Sequence, residues 1–251
     1  MKRLQPITPA GTPTTFIEVW KWGQELERLY ARIAPHFARP EPRRRALAFL
    51  KGIVSATQRK NARQLAEPAG EARPDGMQRL LNSVIRDADL VRDDLRAYIL
   101  EHLGDPHAIL VIDESSFRKR GKKSAGVARQ HCGTTDHLEH CQVGVFLAYA
   151  SAQGQTLLDR ALYLPMRWIK DRKRCQEAGI PDTVRFQTTC EQALQMVERL
   201  WEAKIPFAWV VTDTVPGGNT GLHTWLEVHD YSFVLAVACD EPVEIQMHDG
   251  G

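Results

Sequence analysis

Two apolar runs, each closed by an aspartate, constrain this chain more than any other feature. Ala108-Ile-Leu-Val-Ile112 leads into Asp113, and Ala208-Trp-Val-Val-Thr212 leads into Asp213, with Gly217-Gly218 close behind. Apolar residues without polar alternation predict a strand buried on both faces. If the two strands are neighbours in one sheet, their carboxylates meet at one end of it. Hard divalent cations need such paired oxygen ligands, and two-metal phosphoryl transfer uses the arrangement. Glu114 alternates to the opposite face of any strand continuation, so it reads as a solvated or salt-bridged acid rather than a ligand.

The 251 residues are enough to bury a core without a metal or disulfide staple. Five cysteines (Cys132, Cys141, Cys175, Cys190, Cys239) make an odd count without framework spacing, as expected of reduced thiols in the cytosol. No apolar run approaches the roughly eighteen residues of a membrane span, and Met1-Lys-Arg-Leu-Gln-Pro6 lacks the apolar core of a secretory signal. A net charge of +2 says little, but its distribution says more. Seven Lys or Arg and no acid lie between Arg43 and Ala66, whereas the segment from Arg86 to Asp105 is acid-rich.

Residues 1–13 read as loose. Thr15 and Glu18 form a capping-box pattern. Phe16, Val19, Trp20, Leu26, Leu29, Tyr30 and Ile33 then recur at helical steps, to an end near Pro35. Pro40 and Pro42 punctuate the next connection. A second helix is predicted from Arg43 to about Thr57, with Leu47, Leu50, Ile53 and Val54 buried. Asn61 caps a short third helix, Asp75 a fourth (Met77, Leu80, Leu81, Val84, Ile85), and Asp87 or Asp89 a fifth. The basic turn Gln58-Arg-Lys-Asn61 between two helices is loosely like a helix-turn-helix. Arg43, Arg44, Arg45, Lys51, Arg59, Lys60 and Arg63 are therefore candidate phosphate contacts.

Beyond Asp113 the pattern turns to strands: 124–132, a turn at Gly133-Thr-Thr-Asp136, 140–150, and 156–164 closed by Pro165. Residues 166–188 read as irregular and basic. Thr189 caps an amphipathic helix that buries Leu194, Val197, Leu200 and Trp201. Strand 208–211, a helix through Leu222, Trp225 and Leu226, and strand 232–238 follow. Three antiparallel strands followed by crossover helices and further strands is a ribonuclease-H-like layout, which sets the acids of its first and fourth strands side by side. The expected fold class is α/β: a ribonuclease-H-like mixed-sheet core over 106–251, preceded by an all-helical DNA-binding region over 1–105. A third acid in that fold comes from a helix after the fifth strand, and the sequence ends before it, so the core is expected to be incomplete at its C-terminus.

Arg118, Lys119, Arg120, Lys122 and Lys123, and the segment from Arg167 to Arg174, flank the proposed cleft and would neutralise DNA backbone charge. Trp20, Trp22, Trp201, Trp209 and Trp225 read as core, and Trp168, among basic residues, as the candidate for stacking on DNA. His131-Cys132, His137 and His140-Cys141 are zinc-ligand types, but their spacing is not that of a finger. A hairpin carrying surface histidines is the expectation.

The motifs Val111-Ile-Asp-Glu-Ser-Ser-Phe117, Gly121-Lys-Lys-Ser-Ala-Gly-Val-Ala-Arg-Gln130 and Glu139-His-Cys-Gln-Val-Gly-Val-Phe-Leu-Ala-Tyr-Ala150 resemble those of DDE transposases of bacterial insertion sequences, the DDE superfamily endonucleases, in their Tn-five-like branch. Leu157-Leu-Asp-Arg-Ala-Leu-Tyr-Leu-Pro165, Val210-Val-Thr-Asp-Thr-Val-Pro-Gly-Gly218, Arg73-Pro-Asp-Gly-Met-Gln-Arg-Leu-Leu-Asn82 and Val91-Arg-Asp-Asp-Leu-Arg96 extend the likeness over roughly residues 40 to 240. The resemblance implies Asp113 and Asp213 as the first two catalytic, metal-holding carboxylates. It also implies Mg²⁺ or Mn²⁺ in a two-metal site, double-stranded transposon-end and target DNA as partners, a homo-oligomer when active, and a cytoplasmic, nucleoid-associated bacterial protein. Two departures stand out. Thr214-Val-Pro216 follows the second aspartate where relatives usually carry an acid and an aromatic residue, and the third carboxylate has no counterpart, since Glu241 and Glu244 come too soon after the last strand. The likeness is therefore to the front part of a transposase, expected to bind Mg²⁺ weakly and to cleave poorly alone. The rival readings are a non-catalytic DNA-binding remnant that regulates transposition, and a nuclease acting on other nucleic acids through the same fold.

Overall fold

In the computed structural model, residues 16–82, 87–212 and 220–236 are described. The Thr15 cap, Val84, Ile85, Asp213, Gly217-Gly218, Cys239, Glu241 and Glu244 lie outside them. The chain divides into two units, one up to Tyr98 and one from Ile99.

The first unit is helical. Helix α1 (Phe16–Ile33) runs into a 3-10 turn at Ala34–His36. Helix α2 (Pro40–Val54) starts earlier than the sequence predicts. Pro40 and Pro42 do not break it, because the first helical turn needs no backbone N–H and favours proline's fixed φ. Ser55 and Lys60 close its end, donating to the Gly52 carbonyl at 2.7 and 3.0 Å. Helix α3 (Ala62–Ala66) is capped by Asn61, whose Oδ1 accepts from the Gln64 amide. Gly52 lets Leu65 close on α2: a Cβ there would stand 2.7 Å from Leu65 Cδ2. Helix α4 (Asp75–Asn82) follows, and Asp87 caps α5 (Ala88–Leu103) by accepting from the Asp89 and Leu90 amides. Phe37, Ala46, Ala66, Met77 and Leu80 form this unit's core.

The second unit is a mixed sheet with helices. Strand β1 (Ile109–Arg118) is followed by β2 (Ala128–Cys132), β3 (His137–Ser151) and β4 (Gly154–Leu162). Helices α6 (Met166–Lys170), α7 (Arg172–Glu177) and α8 (Thr189–Glu202), strand β5 (Trp209–Thr212), helix α9 (Thr220–Val228) and strand β6 (Ser232–Leu235) complete it. The order is β2-β3-β1-β5-β6, with β4 also on β3. β1 runs antiparallel to β3 and β3 to β4, whereas β5 and β6 run parallel to β1. Strands β4, β3, β1, β5 and β6 thus make the ribonuclease-H-like sheet, and β2, which lies between β1 and β3 in sequence, is an extra strand in a hairpin with β3. The segment expected to be irregular, 166–188, holds two short helices.

One sheet face is packed under α8 and α9: Leu110, Ile112, Val145, Leu147, Tyr149 and Val210 meet Met196, Val197, Leu200, Leu222 and Leu226. Burial on both faces of β1 does not occur among the described residues. Ile109 and Val111 point the other way and are 38% and 36% exposed. The α8 cap is Thr188 rather than Thr189, in a complete capping box with Glu191. The Tyr149 hydroxyl ties connections together, accepting from the Asp105 amide at 2.9 Å and lying 2.9 Å from the Pro206 carbonyl.

Candidate active site

Pairing of β1 with β5 is what brings the two apolar runs together. They are parallel neighbours in register from Ile109 opposite Trp209 to Ile112 opposite Thr212. The next residue along the sequence of each is an aspartate, Asp113 and Asp213. Asp113 stands opposite Phe146 of β3, exposed, on the face that Ile109 and Val111 share. Its carboxylate has no hydrogen bond or ion pair among the described residues. Such an oxygen donor, with no cation spent on it, fits a hard divalent ion. No group of three or more His, Cys, Asp or Glu gathers for a metal among the described residues. Glu114 is near Cys190 of α8, whose thiol is pushed up by burial first and by the Glu114 charge second.

The basic run after β1 lines open surface. Arg118, Lys119, Arg120, Glu139 and His140 border one cleft, in which Arg118 Nε donates to Glu139 at 2.6 Å. Lys122 and Lys123 border a second cleft with Asp171, Lys173, Arg174 and Glu177. Lys119, Arg120, Lys122 and Lys123 have no ion-pair partner among the described residues. Arg174 holds the Lys122 loop: it donates to the Lys122 and Val127 carbonyls at 2.8 and 3.1 Å, with its guanidinium 3.7 Å above the Trp168 ring. No sequence spacing marks that role.

Trp168 is not a stacking platform for DNA. It is fully buried, and its Nε1 donates to the Val127 carbonyl at 2.9 Å. The tryptophans read as core distribute the other way: Trp20, Trp22, Trp201 and Trp209 are exposed, and Trp225 is half-buried. A helical stripe specifies which face is apolar but not what covers it.

In the β2–β3 hairpin, His131, His137 and His140 are exposed while Cys132 and Cys141 are buried. Burial pushes the Cys132 thiol up, but hydrogen bonds from Thr135, the Thr134 and Thr135 backbone and Cys141 outweigh it, leaving the thiol below its ordinary value. Cys141 is pushed up, by burial and then by Cys132.

In the helical unit, acids remote in sequence reach the basic run. Arg45 pairs with Glu71 and Lys51 with Glu27, both at 2.6 Å. Arg43 donates to the Phe37 carbonyl at 2.7 Å, and Lys60 spends its ammonium on the Gly52 and Ser55 carbonyls. The Arg44, Arg59 and Arg63 side chains have no partner among the described residues. No described helix is long and apolar enough to cross a membrane.

The protein described as "Probable transposase for insertion sequence element IS701" from Microchaete diplosiphon is 25% identical over 195 residues, covering 77% of this chain and 48% of the relative. The chain thus spans about half the length of that relative. The structure described as a pre-cleavage Mos1 transpososome matches over 90% of this chain and 69% of the other, at 10% identity and a TM-score of 0.18. A family model described as "DDE superfamily endonuclease" matches residues 32–248, most of the sequence. The chain belongs to the DDE superfamily endonucleases.

Proposed function

We propose that this chain carries catalytic-core residues of an insertion-sequence DNA transposase, acting by phosphoryl transfer at element ends, with Asp113 and Asp213 as paired carboxylates. The observation that carries the reading is the parallel β1–β5 register, which runs to the residue before each aspartate. The family match and the IS701 relative support it from outside the geometry.

Asp113 and Asp213 would hold Mg²⁺ or Mn²⁺, which when bound supplies Lewis-acid stabilisation of charge at phosphorus and a water acidic enough to attack. Arg118, Lys119, Arg120, Lys122 and Lys123 would hold the phosphodiester backbone beside the carboxylates, a contact that fixes position without reading sequence. Arg44, Arg59 and Arg63 have their charges available for a second stretch of duplex in the helical region 1–105. Arg43, Arg45, Lys51 and Lys60 would contribute there only by exchanging their present partners. Acting on paired element ends, the protein would work as a homo-oligomer on double-stranded chromosomal DNA in the cytoplasm.

The test is DNA binding and metal-dependent nicking of a matched element end, for the parent and Asp113→Asn. The reading predicts salt-sensitive binding in both proteins and weak, metal-dependent nicking confined to the parent. Selective end binding without nicking in either would point instead to a DNA-binding regulator. Nicking retained in Asp113→Asn would overturn the carboxylate assignment.

A further inference from the structure

Arg160 stands on the open face of the sheet, in the same row as Asp113. It pairs with Phe146 of β3, and Phe146 pairs with Asp113 of β1, so the three residues cross neighbouring strands in line. Directly paired residues of an antiparallel ladder share a face, and Arg160, like Asp113, is exposed. Two strand spacings, about 10 Å, separate their Cα atoms. The Phe146 ring leans away from that interval, along β3 over Gly144, where an added Cβ would stand 2.8 Å from Phe146 Cε2. There it meets the Phe117 ring edge-on at 6.1 Å.

A break in the ladder puts the arginine on this face. Ala148 pairs with Leu157 and Leu147 with Asp159, which leaves Leu158 as an extra residue. In an unbroken ladder Phe146 would pair with Asp159, and a second acid would share Asp113's face. Bulges of this kind re-aim side chains. Here Leu158 and Asp159 both turn into the core, where Asp159 Oδ2 accepts from Arg199 Nε and Nη2 at 3.1 and 2.9 Å. Asp159 Oδ1 accepts from the Arg160 amide at 2.8 Å, which fixes the backbone from which the arginine leaves. The Arg160 guanidinium lies 3.8 Å from that oxygen, and its side chain is 45% exposed.

We propose that Arg160 is a phosphate-holding residue of the candidate active site, its guanidinium donating to a non-bridging oxygen of the DNA strand that crosses β3 to reach Asp113. The proposal rests on the DNA-transposase reading and adds to it a contact on β4, outside the basic run that follows β1. A guanidinium fork matches the geometry of phosphate oxygens. Its charge offsets the repulsion between a phosphodiester and the Asp113 carboxylate. Such a contact positions the strand and reads no sequence.

The experiment uses the 251-residue chain and a matched element-end duplex with Mg²⁺ present. Phenylglyoxal modification of Arg160, followed by peptide mass spectrometry, is compared with and without saturating duplex, and fluorescence anisotropy against salt follows binding by the parent, Arg160→Gln and Arg160→Lys. Bound duplex should slow modification of Arg160 on the order of tenfold. Arg160→Gln should weaken binding on the order of tenfold and lower the slope of log affinity against log salt by about 0.9. Arg160→Lys should keep the slope and recover part of the affinity. Should Arg160→Gln not fold, protection in the parent decides, since it needs no variant. Arg160 modified at the same rate in the bound parent, or Arg160→Gln binding as tightly as the parent, overturns the proposal and leaves the DNA reading standing. Arg160 is then a charge that keeps β4, paired only with β3, from adding to another sheet. A parent that binds no duplex overturns the DNA reading, and this contact with it.

Discussion

On the proposed reading the chemistry turns on Asp113, and its surroundings make it unusually clean to test. An exposed carboxylate with no partner among the described residues contributes little to folding, so Asp113→Asn should shift stability by no more than about 0.5 kcal/mol. Titration calorimetry with Mn²⁺ should show divalent binding in the parent and none in the variant, with the two melting curves superimposed. The basic residues call for a different measurement. Lys122→Ala and Lys123→Ala should each weaken duplex binding and lower the slope of log affinity against log salt by about 0.9 for each phosphate no longer neutralised. Trp168→Phe should do neither. It should lower stability by about 1–3 kcal/mol, because the Val127 hydrogen bond goes with the indole and the Arg174 stack is weaker on the smaller ring. The expectation of a DNA platform at Trp168 fails for a physical reason: a basic neighbourhood in sequence is compatible both with a ring facing phosphate and with a ring buried under one arginine.

At the scale of elements, pairing between β1 and β5 organises the site, and α8 holds the sheet face beneath it. Thr188→Ala removes the hydroxyl side of the α8 capping box and should cost about 1 kcal/mol. Tyr149→Phe leaves the Asp105 amide and the Pro206 carbonyl without their hydroxyl partner and should cost about 1–3 kcal/mol. Denaturant melts of the two variants check both values. The strands leading to the aspartates, the amphipathic α8 and the Asn61 and Asp87 caps are legible because each depends on local pattern. The start of α2 at Pro40 is not, since proline as a helix opener and proline as a loop marker look alike until the helix is seen. The one-sided burial of β1 is equally invisible: an uninterrupted apolar run permits a second covering layer without specifying one.

For the whole molecule, the distinction between what is legible and what is not follows sequence distance. The helical front, the strand-rich remainder and the crossover order can be read from periodicity. The pairing of Arg45 with Glu71 and of Lys51 with Glu27 cannot, and so the run from Arg43 to Arg63 looks more available to DNA in sequence than its ion pairs allow. The family match over residues 32–248 embraces helices and sheet alike. On the proposed reading, the activity would depend on a metal ion reaching two aspartates a hundred residues apart in sequence. The most direct test is localised backbone cleavage by Fe²⁺ bound in place of Mg²⁺, with ascorbate and peroxide, mapped by mass spectrometry. The account predicts cuts clustered beside both Asp113 and Asp213, competed away by Mg²⁺ and abolished together in Asp113→Asn. Cuts beside only one aspartate, or a pattern that Asp113→Asn leaves unchanged, would contradict it.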